Sequence, residues 1–400
     1  MKIIKLCMQL IGSEETYDRQ KKVTICSVGD LMLCDSPLYV SVGVGANYSR
    51  IRKDLFSACA SDLKNADITI GNFEGVVCHP KKKNLQELQM ACEENTIKDL
   101  KLNGFNILNL ANNHCLQHGT NNFFRTKAVC EQNGIHVSGI KGESPYVIGI
   151  NGIKLAFLSL CVHYEWYEPN DIQYEDNIER IFSETIKIKN KDPKTIIVIS
   201  VHWGDEFSTF PSNAQIALAH KFVELGANII LGHHSHVYQG IEKYKGSLIV
   251  YGQGNFISDM IPVLCRQTGI VQITITENDN NYDMDYELIP YYINDNLIPE
   301  ISNSAWFTDR QRELELAVNN KFSDDYYWQK VSQNHRECHD AFSKFFLRHI
   351  GSYKVNISWK MIFEFIRRKL DKVTGNSSFG RKGSMEQEIY AALERTGKRI

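Results

Sequence analysis

Leu231-Gly232-His233-His234-Ser235-His236 decides how the rest of the chain is read. The stretch before it, residues 227–231, is apolar apart from Asn228 and reads as a buried strand. At its end Gly232 lets the backbone turn, and three imidazoles follow within four positions. In an extended segment side chains alternate, so His234 and His236 are expected on one side. Two imidazoles converging at a strand end suit Zn, Mn, Fe or Ni. Taken alone, the run also fits a polar loop whose histidines face water. What favours ligation is the chemistry of the neighbouring strand ends.

The chain has 400 residues, enough for one large domain or two smaller ones. Its hydrophobic fraction of 43% and charged fraction of 23% are those of an ordinary globular protein. A net charge of −2 gives no bias toward nucleic acid or an anionic membrane. No apolar run approaches the roughly 18 residues of a membrane span. Residues 1–12 are interrupted by Lys5 and Gln9 and do not read as a signal peptide. Eleven cysteines, an odd number with no Cys-x-x-Cys pair, read as buried free thiols of a reducing compartment. The expected location is therefore cytoplasmic, with any membrane association made through partner proteins.

Strand and helix signals alternate along the first two-thirds of the chain. Strands are expected at 23–28, 67–71, 105–110, 195–201 and 227–231, with further strands at 270–276 and 285–289. Two hairpins are expected, one turning on Asn151-Gly152 and one on Lys245-Gly246. Helices are expected at 49–65, 95–103, 178–189 and in two capped segments beginning at Thr120 and Ser212. Residues 80–84 read as an exposed lysine-rich loop. This pattern predicts an α/β fold with a mixed sheet or two stacked sheets. After residue 300 helical segments dominate, at 309–320, 326–346 and 359–373. The expected organisation is a lead-in at 1–22, a main domain at 23–299, a helical segment at 300–373 and a flexible tail at 374–400.

The predicted strands end in residues of one chemical kind: Asp30, Glu74, Asn113-His114, His202, and His234 with His236. Singly, each has a plainer explanation. Gly29-Asp30 fits a turn, as does Asn112-Asn113, and His202 before Trp203 fits a packed core histidine. Jointly, they put carboxylate, amide oxygen and imidazole beyond the carboxyl ends of strands, where open α/β sheets bind ligands. That mixture suits a borderline or hard divalent cation.

Gly29-Asp30, Asn72-Phe73-Glu74-Gly75, Ala111-Asn112-Asn113-His114, His202-Trp203-Gly204, Gly232 to His236 and Gly252-Gln253-Gly254-Asn255-Phe256 form an ordered series. It resembles the motif series of the CapA-type bacterial capsule-synthesis proteins, which are associated with poly-γ-glutamate and similar to calcineurin-like metallophosphoesterases. The resemblance covers about residues 23–275. It implies a four-layer α/β/β/α metallophosphoesterase-like sandwich, here with a helical C-terminal appendage. It also implies one or two divalent ions (Mn, Fe, Zn or Mg) and an anionic small-molecule or polymer substrate, together with capsule-synthesis partner proteins. By motif, Asp30 and His236 would hold a first ion, Glu74 would bridge, and Asn113, His202 and His234 would hold a second. His114 would be the catalytic acid, with Gln117 as its partner. Asn72, Asn112 and Asn255 are the candidate substrate-binding residues.

Two positions depart from that pattern. Metallophosphoesterases usually carry a histidine two residues after the first aspartate; here it is Met32, whose thioether is a poor ligand for a hard cation. The capsule family commonly has an aspartate three residues after the motif histidine; here it is Gln117, which can orient the ring but supplies no charge. Three readings follow: a phosphoesterase-like hydrolase in capsule production, a non-catalytic polymer-binding accessory protein, and a metal-dependent γ-glutamyl amidase.

Overall fold

Seven consecutive residues of the strand Ile196–His202 are buried, as expected of a parallel strand covered on both faces. This and the other elements are taken from a computed structural model that describes residues 21–37, 39–79, 85–163, 172–278, 281–303, 305–349 and 384–397. Two mixed sheets form the frame. The first runs in the order Pro299–Ile301, Tyr282–Ile293, Gln267–Glu277, Lys22–Leu31, Ile68–Phe73, Ile107–Asn109, His136–Ser138, and Asn255–Ile257 pairs with the end of Lys22–Leu31. The second runs Tyr238–Tyr244, Ser247–Gln253, Ile229–His233, Ile196–His202, Ile153–Cys161, Tyr146–Ile150. Both combine parallel and antiparallel pairing, so the mixed α/β class expected from the sequence holds.

Side-chain alternation distributes the core. Ile196 and Val198 share a buried cluster with Val23, Ile25 and Ile70 of the first sheet. Ile197, Ile199 and Val201 point the other way, onto Ile181, Phe182, Leu218 and Phe222 of the helices Ile178–Lys191 and Asn213–Glu224. On the far side of the first sheet, Cys26, Val28 and Leu108 pack with Leu63, Leu100 and Phe123. Both predicted hairpin turns have left-handed backbone, with φ of 49° at Asn151 and 79° at Gly152, and 48° at Lys245 and 83° at Gly246. Ser212 caps its helix in a reciprocal box with Gln215. Among the described residues no helix is long and apolar enough to cross a membrane.

Three expectations are corrected. Residues 49–65 are not one helix but two, Val44–Ile51 and Ala60–Asn65. The linking turns use hydrogen bonds from Asp54 to Ile51, Ser57 to Asp54 and Cys59 to Phe56, and the Ser57 hydroxyl also takes the Asp54 carbonyl. The apolar spacing survives the break, since Ile51, Leu55, Cys59 and Leu63 are all buried. Thr120 is the first helical residue rather than the cap, a place taken by Gly119 with φ of 80°. Within the expected flexible tail, Ser384–Gly397 is a helix that buries Ile389 and Ala392 against the Asn213–Glu224 layer. The lysine-rich loop at 80–84 and the expected helix at 359–373 lie outside the described residues.

The helix Trp306–Val318 closes an exposed sheet edge. Tyr238–Tyr244 is the terminal strand of its sheet, and Gln311 satisfies both polar groups of Ile241, accepting from its N–H at 3.1 Å and donating to its carbonyl at 2.9 Å. Trp306 packs edge-on against Tyr238 with ring centroids 5.5 Å apart. Gly240 leaves room for Leu314, whose side chain an added Cβ would meet at 2.8 Å. A chain ended after residue 303 is therefore expected to lose soluble folding. Leu314→Ala alone should cost about 2–5 kcal/mol. Soluble yield and thermal melting check both expectations; a soluble truncated chain that melts like the whole would show these helices to be dispensable.

Candidate metal centre

Parallel pairing carries the polar strand ends into two rows. In the first sheet Asp30 stands beside Asn72, and Asn72 beside Asn109. In the second His202 stands beside His233. Two glycines permit the close approach. A Cβ on Gly29 would lie 2.0 Å from the Gly254 carbonyl oxygen, and one on Gly232 would lie 1.9 Å from that of Tyr251. Beyond the strands His234, His236 and Phe207 have left-handed backbone, with φ of 85°, 56° and 62°. For a residue as bulky as Phe207 this costs on the order of 1–2 kcal/mol, and such strain gathers at functional sites.

Asp30, Glu74 and His236 form one fully buried group whose candidate ligand atoms all lie within 4.8 Å of one another. His236 Nδ1 is 3.2 Å from Asp30 Oδ2, and its Nε2 is 3.9 Å from Glu74 Oε1. Asn113, His202 and His234 form the other group. His202 Nε2 is 2.9 Å from Asn113 Oδ1 and 3.1 Å from His234 Nδ1. Asn72 joins the two, donating to Asp30 Oδ1 at 2.8 Å and lying 3.2 Å from His202 Nδ1. His114 stands at the rim with 14% of its side chain exposed, its Nε2 3.6 Å from Glu74 Oε1. Its Nδ1 is 2.8 Å from Gln117 Oε1, the orienting contact expected from their spacing.

The electrostatics divide along the same line. Burial holds His202 and His234 well below the usual histidine range, and nearby imidazoles add to the effect, so both rings stay neutral with a lone pair to offer. His236 behaves oppositely: burial opposes its charge, but Glu74 and Asp30 outweigh burial and raise it to about 10. Burial pushes Glu74 well above the usual carboxylate range. Burial acts the same way on Asp30, yet its contacts with His233 and His236 hold it below that range.

The donor set fits a divalent cation. Among the described residues, both Glu74 oxygens, Asp30 Oδ2 and His234 Nε2 are buried with no hydrogen-bond partner. Buried polar atoms normally find partners, so buried ligand-type atoms left without one call for a ligand. Carboxylate, amide oxygen and neutral imidazole are what Mn, Fe or Zn would take. Met32 is buried, its sulfur accepting the Ser258 hydroxyl at 3.6 Å.

Asn72, Asn112 and Asn255, read from the sequence as substrate-binding, are fully buried and bonded within the protein. Asn112 donates to the Phe73 carbonyl at 2.9 Å, and Asn255 Oδ1 meets His236 Nδ1 at 2.9 Å. Their contacts run to neighbouring strand ends and candidate ligands. The sequence reading passed over four further residues. His233 lies 3.4 Å from Asp30, and Asn109 donates to Asn72 at 3.1 Å. The His163 ring lies 4.0 Å from that of His234, and Glu206 lies 4.0 Å from His236 Nε2. His163 follows a strand end, as the other candidates do, and that criterion would have found it. Glu206 had no signal beyond its place two residues after His202-Trp203-Gly204.

A family model described as bacterial capsule synthesis protein PGA_cap matches residues 24–260, which hold every residue of this centre. The chain belongs to that family. It is 27% identical over 342 residues to the capsule biosynthesis protein CapA of Bacillus anthracis, covering 76% of this chain and 80% of that one. It is 30% identical over 263 residues to the PGA biosynthesis protein CapA of Bacillus subtilis, covering 63% of this chain and 67% of the relative. A probable polyglutamine synthesis accessory protein of Mycobacterium tuberculosis is 33% identical over 72 residues, 18% of this chain and 19% of its own. The helix Trp306–Val318 that covers the Tyr238–Tyr244 edge lies beyond the family match.

Proposed function

We propose that this member of the capsule-synthesis family acts in the production of poly-γ-glutamate through a metal-dependent, phosphoesterase-like hydrolase site. The observation that carries the reading is Glu74, fully buried near His236 and His114, with neither oxygen finding a hydrogen-bond partner among the described residues. The sheet-to-sheet cluster, with a helix-lined cluster on either side, supports a four-layer α/β/β/α sandwich carried by residues 23–299. The ten cysteines among the described residues are free and buried, which supports a cytoplasmic setting.

Asp30 and His236 would hold a first ion, Glu74 would lie between the ions, and Asn113, His202 and His234 would hold a second. Such ions supply an activated water and a positive clamp for an in-line displacement at phosphorus. The chain supplies the rest. Asn72 and Asn255 fix the ligands, and His114, at the rim and oriented by Gln117, donates the proton to the leaving oxygen from Nε2. Elemental analysis of protein purified without chelator, with phosphoester and γ-glutamyl peptide substrates compared side by side, tests this reading. Metal content near zero would overturn it. Turnover of the peptide alone would favour the amidase, and bound metal without turnover would favour a polymer-binding role, which Met32 and Gln117 already suit.

Gln117 gives the proton-donor role a direct test. A carboxylate at 117 would favour the charged imidazolium against the nearby cations; a neutral amide does not. Gln117→Asp is therefore expected to raise turnover about tenfold if it recovers one pKa unit, about 1.4 kcal/mol. The gain should be larger for esters with poor leaving groups, and His114→Ala should erase it. Equal turnover of wild type and variant on a poor-leaving-group ester would remove His114 from the acid role.

A further inference from the structure

We infer that Glu206 is an additional ligand of the first metal ion, taking the part that a histidine at position 32 would otherwise play. The inference rests on the metal-centre reading above and adds a residue to it. Asp30, Glu74 and His236 are three protein donors, and Met32 contributes none, because its sulfur already accepts the Ser258 hydroxyl. Two atoms bound to one ion, each at about 2.1 Å, lie roughly 3–4 Å apart. Glu206 Oε1 is 4.0 Å from His236 Nε2, and Glu74 Oε1 is 3.9 Å from the same nitrogen. His236 Nε2 thus has two carboxylates at ligand spacing.

The backbone around Glu206 is built to hold it there. The Phe207 N–H donates to the Ser235 carbonyl at 2.7 Å, between the two ligand histidines. Asn334 Nδ2 donates to the Phe207 carbonyl at 2.9 Å, and Tyr327 donates to Asp205 at 2.8 Å. Both come from the helix Asp324–His349, and the His335 ring of that helix also bonds the Glu206 backbone. Four contacts therefore fix residues 205–207, including the left-handed Phe207, while the Glu206 side chain stays 37% exposed. A clamped backbone carrying a half-buried carboxylate 4.0 Å from His236 Nε2 suits a ligand that swings onto the ion as it arrives.

The test compares the full-length protein with Glu206→Gln, an isosteric change at an exposed side chain. Each is stripped of metal, and its melting temperature is measured to show that the fold persists. Each is then titrated with Mn2+ by calorimetry, with elemental analysis of the recovered protein. Wild type is expected to bind two equivalents. Glu206→Gln should keep one at wild-type affinity and bind the other at least tenfold more weakly. Two equivalents at unchanged affinity in the variant would overturn the inference and leave the centre standing. A single equivalent in wild type, kept by Glu206→Gln and lost by His202→Ala, would overturn it as well. A wild-type protein that binds no Mn2+ would remove the centre and the inference together.

Discussion

Glu74→Gln is expected to take metal occupancy from two equivalents to none, and hydrolysis to background. Two doubly charged ions about 4 Å apart repel by well over 10 kcal/mol even at an effective dielectric of about 20. On the proposed two-ion reading Glu74 offsets that repulsion; it is fully buried and 3.9 Å from His236 Nε2. Glutamine keeps the shape and removes the charge. His202→Ala serves as the contrast: it strips a terminal ligand from one ion only and should leave the other equivalent in place. Glu74→Gln should also leave the metal-free fold intact. Burial raises the Glu74 pKa, so ionising this carboxyl costs the metal-free fold stability. Stability therefore falls as pH climbs from the unfolded carboxylate value toward the raised one. At neutral pH the metal-free variant should melt no lower than wild type. Elemental analysis with thermal melting checks both halves; loss of a single equivalent would make Glu74 a terminal ligand.

The strand ends were legible in the sequence because each apolar run stops at a residue that a buried strand would not carry. That criterion reached Asp30, Glu74, Asn113, His202, His234 and His236, and all six are buried around one place. It could not reach lateral order. Asn72 contacts His202 across 130 residues of chain, and nothing in either segment announces the other. The alternation argument put His234 and His236 on one side. The left-handed backbone at both residues separates them instead, sending His234 to His202 and His236 to Asp30, with the two rings 6.0 Å apart. Local hydrogen bonding also overrode spacing at residues 52–59, where the apolar pattern continued through a break in the helix. The helix Ser384–Gly397 was missed because the Gly-, Ser- and Lys-rich stretch before it was extended to the end of the chain. Its partners, Leu218 and Phe222, lie in a helix some 170 positions earlier.

Metal uptake at neutral pH is expected to expel at least one proton, and the first ion should bind about a hundredfold more tightly at pH 9 than at pH 7. The cause is His236. Glu74 and Asp30 raise it to about 10 against the pull of burial, so the metal-free protein holds a proton where the ion's ligand must be a lone pair. Below pH 10 each unit of alkalinity then favours the ion about tenfold. The metal-free fold changes with the opposite sign. A raised folded-state pKa stabilises fully below the unfolded value near 6.5, and that stability is lost as pH rises through about 10. The second ion should show no such slope over this range, because burial already keeps His202 and His234 neutral. Calorimetric titration in buffers of different ionisation enthalpy counts the protons, and repeating it at pH 7, 8 and 9 gives the slope. No proton release together with a flat affinity for both ions would show that the first ion displaces no proton from His236, and would remove either its raised pKa or its ligand role. Repeating the titration with His236→Ala separates the two, because only the loss of a ligand weakens binding of the first ion.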